Sequence, residues 1–182
     1  MARTRLLTYD SIARAAFDLV DAEGATALTI ARLADTLGVA QMTLYNYAAG
    51  KQEIVNMLPD VLLAGLPQID RGAPWRDELD VCFTEVHGRL VRHGNVTQLI
   101  AALPVASDAQ ARLFADVLGL LDAAGFSARD ALTVHRTLST YTLGFALLEI
   151  AENTVTSPRP GADAAQFRAG LSALLSAFSP DR

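Results

Sequence analysis

Between Thr29 and Tyr47 the chain gathers side chains that can touch a nucleic acid. Gln41 and Asn46 carry amides able to hydrogen-bond a base edge bidentately. The Thr43 methyl and the Met42 side chain can meet a thymine methyl, and the Tyr45 hydroxyl can reach a phosphate. Such contacts need a short helix presented outward and anchored on its inner face. The spacing supplies one. Ala34, Gly38 and Leu44 stand where two short helices joined by a tight turn require a small contact residue, a residue tolerant of positive φ and an apolar anchor. Leu33, Leu37 and Val39 fill the inside, so the pattern is that of a helix-turn-helix.

Other reactive chemistry is sparse. Cys82 is the one cysteine, which excludes an intramolecular disulfide and a cysteine zinc cage and reads as a small buried hydrophobe. The chain has no His-Glu-x-x-His, no Gly-x-Ser-x-Gly and no glycine-rich phosphate loop after a strand. Glu85 and His87 are two apart and point to different helix faces. Glu149 and Glu152 share a face but lack a histidine at di-iron spacing. No catalytic residue, metal site or cofactor is expected, and the chain is not expected to be an enzyme.

Helices must position these residues. Of 182 residues, 51% are apolar and 19% charged, enough for a sizeable core and too little charge for disorder. Ala and Leu abound and helical periodicity recurs without strand alternation. A first helix is expected over Tyr9–Glu23, capped by Thr8, with Ile12, Ala16, Leu19 and Val20 on one face and Gly24 as a left-handed stop. Thr29 caps a short helix Ile30–Thr36, Gly38 breaks it, and Ala40–Tyr45 follows. Lys51–Leu66 is a further helix, with a kink or break at Pro59. After the loop Pro67–Pro74, longer helices are expected over Trp75–His93, Val96–Leu103, Ala109–Ala124, Ala128–Glu152 and Ala164–Phe178. Pro104, Gly125 and the stretch Asn153–Gly161 separate them. The fold class is all-α: an N-terminal three-helix unit carrying the helix-turn-helix, 1–56, then a helical bundle of longer helices, 57–182.

Charge limits how such a chain can hold DNA. Fifteen basic against twenty acidic residues give a net charge of −5, which excludes binding by bulk charge. Through residue 57, Arg3, Arg5, Arg14, Arg32 and Lys51 face Asp10, Asp18, Asp21, Glu23, Asp35 and Glu53, a net of −1. Four of the five surplus negative charges therefore lie behind the helix-turn-helix. Affinity must come from placement, with few phosphates per half-site and a modest salt slope. The basic N-terminus has no apolar run behind it, so no signal peptide is expected. No run of about 18 apolar residues suggests a membrane span, and a cytoplasmic protein is expected.

The front segments Ala15–Gly24, Leu28-Thr29, Arg32-Leu33-Ala34, Leu37-Gly38-Val39, Thr43-Leu44-Tyr45-Asn46-Tyr47 and Lys51-Gln52-Glu53 resemble, in order, the DNA-binding domain of the tetracycline-repressor (TetR) family. The resemblance covers roughly residues 9–58 and is strongest at the Leu-Tyr-x-Tyr end of the second short helix. It implies that Thr29 contacts a phosphate and that Gln41, Met42 and Thr43 enter the major groove. It also implies that Tyr45 and Tyr47 press on the sugar-phosphate backbone, that Lys51 binds a phosphate at a helix N-terminus, and that Arg3 and Arg5 form a basic arm. Further Lys or Arg commonly follows in the family, where this chain has Ala48-Ala49-Gly50. That departure leaves open a helical sensor or adaptor that has lost DNA binding. The function implied is a ligand-responsive transcriptional regulator, a repressor, released from a palindromic double-stranded DNA operator by a small hydrophobic effector.

Reading a palindrome requires two copies with their helices about 34–36 Å apart. The last two helices are the candidate homodimer seam, through a stripe of Phe167, Leu171, Leu174, Leu175 and Phe178, with Gly170 and Ala177 allowing close approach. The resemblance also implies that 1–56 is a helix-turn-helix DNA-binding domain and 57–182 a helical-bundle ligand-binding and dimerisation domain, with an effector cavity among the rear helices. Its candidate lining residues are Leu62, Leu66, Phe83, His87, Leu99, Phe114, Leu118, His135, Leu138 and Tyr141.

Overall fold

A computed structural model describes residues 7–101, 103, 107–153 and 162–180. Among them the chain is helical throughout, with no strand. Arg3 and Arg5, Pro104 and most of the Asn153–Gly161 stretch lie outside the described residues.

The local caps set the first helices. Helix α1, Tyr9–Glu23, begins with a reciprocal box in which Thr8 Oγ1 accepts from the Ser11 amide and Ser11 Oγ accepts from the Thr8 amide. Gly24 ends it with φ 82° and ψ 174°. This is not the left-handed stop expected from sequence. It is an extended positive-φ conformation that is equally reserved for glycine, and it leads into a 3-10 turn, Ala25–Ala27. Helix α2, Ile30–Leu37, is capped by Thr29, whose Oγ1 accepts from the Arg32 amide at 3.1 Å. Gly38 at φ 69° and ψ 33° closes it. The Val39 amide reaches back to the Ala34 carbonyl and the Gly38 amide to Asp35, the double closure of a left-handed cap.

One turn of helix, α3, Gln41–Leu44, follows. Helix α4, Lys51–Leu63, runs through Pro59 without a break and stops a turn earlier than expected, where Ala64 becomes extended and Gly65 takes φ 71°. Helices α5, Trp75–Arg92, and α6, Gly94–Ile100, meet at His93 with no loop between them. The expected start of α6 at Val96 was therefore too late, because the His93 carbonyl already accepts from the Thr97 amide. Helices α7, Asp108–Ala123, α8, Ala128–Asn153, and α9, Ala164–Ala177, complete the chain.

Two apolar cores result. The front core packs Ile12, Phe17, Val20, Leu33, Leu44, Ile54 and Leu58 with Leu90 of α5, Val96 of α6 and Ala146 of α8. The rear core packs Leu79, Phe83, Val117, Leu120, Leu121, Val134, Leu138, Phe167, Leu171 and Leu175. The front core thus closes only with residues from the rear helices. Polar contacts reinforce the join. His93 Nδ1 lies 2.9 Å from Asp21 Oδ2, and the Asn95 amide donates to the Asp21 carbonyl.

Two arginines of α5 fasten other helices by their C-termini, where unpaired carbonyls and the helix dipole attract a cation. Arg89 donates to the carbonyls of Leu62, Ala64 and Gly65 at the end of α4. Arg76 donates to those of Leu175 and Phe178 at the end of α9.

The stripe expected at a dimer seam is consumed within the chain. Phe167 and Leu171 are fully buried and Leu175 is nearly so, all in the rear core, with Leu174 and Phe178 packed against it. The close approach at Gly170 is made by the chain's own Tyr141. The reason is register: these residues form the face of α9 that the bundle needs. The outer face of α9 presents small residues, among them Ala165, Ala169, Ser172, Ala173 and Ser176, and α8 leaves Leu148 exposed.

Candidate functional site

Leu44, 1% exposed, pins the single turn of α3 to the front core. That anchor turns Gln41, Met42, Tyr45 and Asn46 outward and leaves Thr43 half-buried. Met42 is 73% and Tyr45 47% exposed. Large apolar surface left in water at one tip of a molecule marks a contact surface. The chain beyond α3 is held by the Tyr47 and Ala48 amides, both donating to the Leu44 carbonyl.

The flanking residues are more engaged than sequence suggested. Tyr47 is half-buried, its hydroxyl donates to the Leu7 carbonyl at 2.9 Å and its ring meets Tyr9 edge-on. Its hydroxyl thus positions the start of α1. Thr29 spends its hydroxyl on the cap of α2 but stays exposed. Lys51 opens α4, exposed, with Nζ 3.2 Å from the Ala25 carbonyl. Glu53 caps the same terminus through the Ala49 amide, which sets a carboxylate beside the lysine. Arg32 is tied to Glu23 at 2.5 Å, both about half exposed.

Behind this unit lies a cavity of about 250 Å³. Leu62, Phe83, Phe114 and His135 line it, as expected. Six other candidates do not. Leu66 lines a separate, more polar cleft of about 400 Å³ with Asp10, Asp60 and Asp116. Leu99 packs on the front core, and Leu118 and Leu138 belong to the rear core. Tyr141 stacks on Phe167 and donates to its carbonyl. His87 stacks on Phe167 at 3.8 Å, with Nε2 3.2 Å from Glu149 Oε2 but misaligned for a hydrogen bond. Helical spacing identified residues that face inward, but inward can mean cavity or core.

Sequence reasoning missed Leu63, Val86, Leu90, Leu113, Ser139, Thr142 and Leu143, which also line the cavity. A signal existed for part of this. His135, Ser139 and Thr142 recur at i, i+4 and i+7 within an otherwise apolar helix, which places three polar groups on one face.

Burial holds both internal imidazoles below their ordinary value of 6.5; at His135 the neighbouring Arg136 adds to it. Glu149 is pushed up from 4.5 by burial and then by Asp163. The signs follow from linkage. The histidine contributions are fully present above about pH 6.5 and are lost as pH falls through the folded values. The Glu149 contribution is present below about pH 4.5 and is lost as pH rises through its folded value. Between pH 7 and pH 5 the histidine contributions shrink while that of Glu149 grows, so His135→Gln should shift the slope of thermal midpoint against pH toward greater stability at the acid end than in the parent; parallel slopes in the two proteins would contradict this. Burial, then Glu78 and Asp116, push the Cys82 thiol up to about 12, so it is an inert core group.

No helix of the described residues is long and apolar enough to cross a membrane. Among those residues no cluster of three or more His, Cys, Asp or Glu could hold a metal.

Two family models match the chain: "Bacterial regulatory proteins, tetR family" over residues 12–58 and "Tetracyclin repressor-like, C-terminal domain" over 66–180. The chain is 30% identical to an HTH-type transcriptional regulator of Saccharopolyspora erythraea over 146 residues, 79% of this chain and 61% of that one. It is 32% identical to the class E tetracycline repressor protein of Escherichia coli over 160 residues, 82% of this chain and 72% of that one. Among solved structures, BioQ of Mycobacterium smegmatis superimposes with a TM-score of 0.78 at 27% identity, covering 94% of this chain and 97% of that one. BioQ with its double-stranded DNA operator gives 0.75 at 26% identity, with the same coverage. Regulators of this family are ligand-responsive, DNA-binding repressors and are generally non-enzymatic. The chain belongs to the TetR family of bacterial transcriptional regulators.

Proposed function

We propose that this chain is a cytoplasmic, non-enzymatic repressor that binds a palindromic operator as a homodimer and is released by a small, largely hydrophobic effector. The observation that carries the DNA reading is the pinned single turn of α3, with Gln41, Met42, Tyr45 and Asn46 facing outward. Gln41 and Met42, with Thr43, read base edges. Tyr45, Tyr47 through its ring edge, Thr29 and Lys51 hold the backbone, and Asn46 lies at the groove margin.

We place the division between the DNA-binding and effector units at 56/57, inside α4. One helix then contributes Ile54 and Leu58 to the front core and Pro59, Leu62 and Leu63 to the cavity wall. An effector that fits the cavity in only one position of α4 shifts the population away from the groove-matching spacing; differential affinity for two states suffices. Dimerisation uses the outer faces of α8 and α9, whose small side chains permit close helix approach.

Gel-shift titration with DNA flanking the chain's own gene tests the reading. Tyr45→Ala should weaken binding to all sequences alike. Gln41→Ala should relax preference at one base pair by about 1–3 kcal/mol. An unchanged preference in Gln41→Ala would reverse the assigned orientation of α3. Absence of binding there and in a genomic selection would leave the sensor or adaptor that no longer binds DNA, the reading favoured by Ala48-Ala49-Gly50 and by the tied Arg32.

A further inference from the structure

The two sides of the cavity differ in chemistry. Helices α4, α5 and α7 contribute Leu62, Leu63, Phe83, Leu113 and Phe114, with Gln110 of α7 the one polar side chain on that side among the described residues. Helix α8 contributes His135, Ser139 and Thr142 along one face. Thr142 is 2% exposed and its Oγ1 has no hydrogen-bond partner among the described residues; His135 Nδ1 has none either. Ser139 Oγ is 3.4 Å from His135 Nε2, a loose contact that leaves the pair adjustable. Buried polar atoms are almost always paired, so two orphans on one wall of a cavity point to a ligand that completes them.

The wall also lacks charge. Among the described residues no Asp, Glu, Lys or Arg lines the cavity, and the sequence between Ile100 and Ser107, Ala-Ala-Leu-Pro-Val-Ala, carries no ionisable side chain. An ion entering here would lose its hydration without gaining a counter-charge. Burial and Arg136 keep His135 neutral at pH 7, so its ring offers one donor and one acceptor.

We infer that this cavity takes an uncharged, mostly apolar small molecule bearing one hydrogen-bonding edge, a hydroxyl or carbonyl, that Thr142 and His135 read along a single face of α8. The inference rests on the regulator reading above and names the chemistry of its effector.

The full chain is tested in two arms. Without ligand, the isosteric Thr142→Val removes an orphan hydroxyl and should raise the thermal midpoint by about 2–4 °C; a fall would mean that the hydroxyl is satisfied internally. With ligand, calorimetric titration at pH 7 compares 2-naphthol, which is neutral, with 2-naphthoate, an anion on the same skeleton. The naphthol should bind at least 10-fold more tightly, and Thr142→Val should weaken it 5- to 10-fold while leaving naphthalene unchanged. Equal or tighter binding of the naphthoate, no binding of the naphthol, or an unchanged naphthol affinity in Thr142→Val overturns the inference. Operator retention is measured separately. Loss of DNA binding with the naphthol pattern intact removes the regulator reading and leaves the site, whereas DNA binding with the pattern absent does the reverse.

Discussion

Replacing Phe167 by alanine is expected to remove about 3–5 kcal/mol of folding stability, the range for a truncated core aromatic. Phe167 is fully buried. His87 stacks on its ring at 3.8 Å and 6°, Tyr141 at 5.3 Å and 14°, and Phe145 meets it edge-on at 5.6 Å. Its backbone carbonyl also accepts the Tyr141 hydroxyl. Three aromatic neighbours fixed from α5 and α8 cannot collapse together into the vacated volume, so the cavity term stays large. The loss also strips cover from the buried His87, whose imidazole is held below its ordinary value by burial. Urea unfolding at fixed protein concentration reads the effect, the concentration being held because the proposed dimerisation would contribute to apparent stability. A cost below about 1 kcal/mol, less than a typical core methylene deletion, would mean that α9 is not docked as described.

Gly170→Ala is the second large effect and acts by the opposite route. A Cβ at this position would stand 2.1 Å from the Tyr141 hydroxyl oxygen and 2.7 Å from its ring carbon. A phenol tip can often swing aside. Here it is clamped by the stack on Phe167 and by the bond to the Phe167 carbonyl, so relief requires that α9 move away from α8. The expected cost is about 3 kcal/mol, the upper end for overpacking by one methyl. Combining Gly170→Ala with Tyr141→Leu removes the clash, so the double variant should be less destabilised than the two single costs added. Additive costs in that cycle would show that Gly170 is required for another reason. Because α8 and α9 carry the proposed dimer faces, sedimentation of the Gly170→Ala protein should also shift toward monomer.

Much of the fold was legible because the signals are local. Thr8, Thr29, Ser107 and Asp163 each cap a helix through an amide two or three residues on. Gly38 turns the chain in the one region where a side chain is disfavoured. Leu44 was identifiable as the anchor because α3 is too short to offer a second inward residue. The outward set at Gln41, Met42, Tyr45 and Asn46 then follows by geometry.

The cavity was less legible. Helix α8 is covered on several sides, and its periodicity cannot say which side meets a void. Leu138 and Tyr141 went to the rear core and to α9, whereas Thr142 and Ser139, which are not among the candidates, went to the cavity wall. His87 was a reasonable candidate by type, yet its ring is held by Phe167, a residue 80 positions further along the chain.

By itself the sequence determined that the chain is helical, where most helices begin, which short helix turns its polar side chains outward and that binding cannot rest on bulk charge. Those properties depend on interactions within about one helical turn, or on sums over residues. Only the tertiary structure decided the partners of Arg89 at 24 to 27 positions' separation and of Arg76 at about a hundred. It likewise decided that the apolar face of α9 closes the chain's own core, and that two polar atoms of α8 lack partners among the described residues beside a cavity. Each is set by how whole helices pack, and packing couples residues whose distance along the chain carries no information about their distance in space.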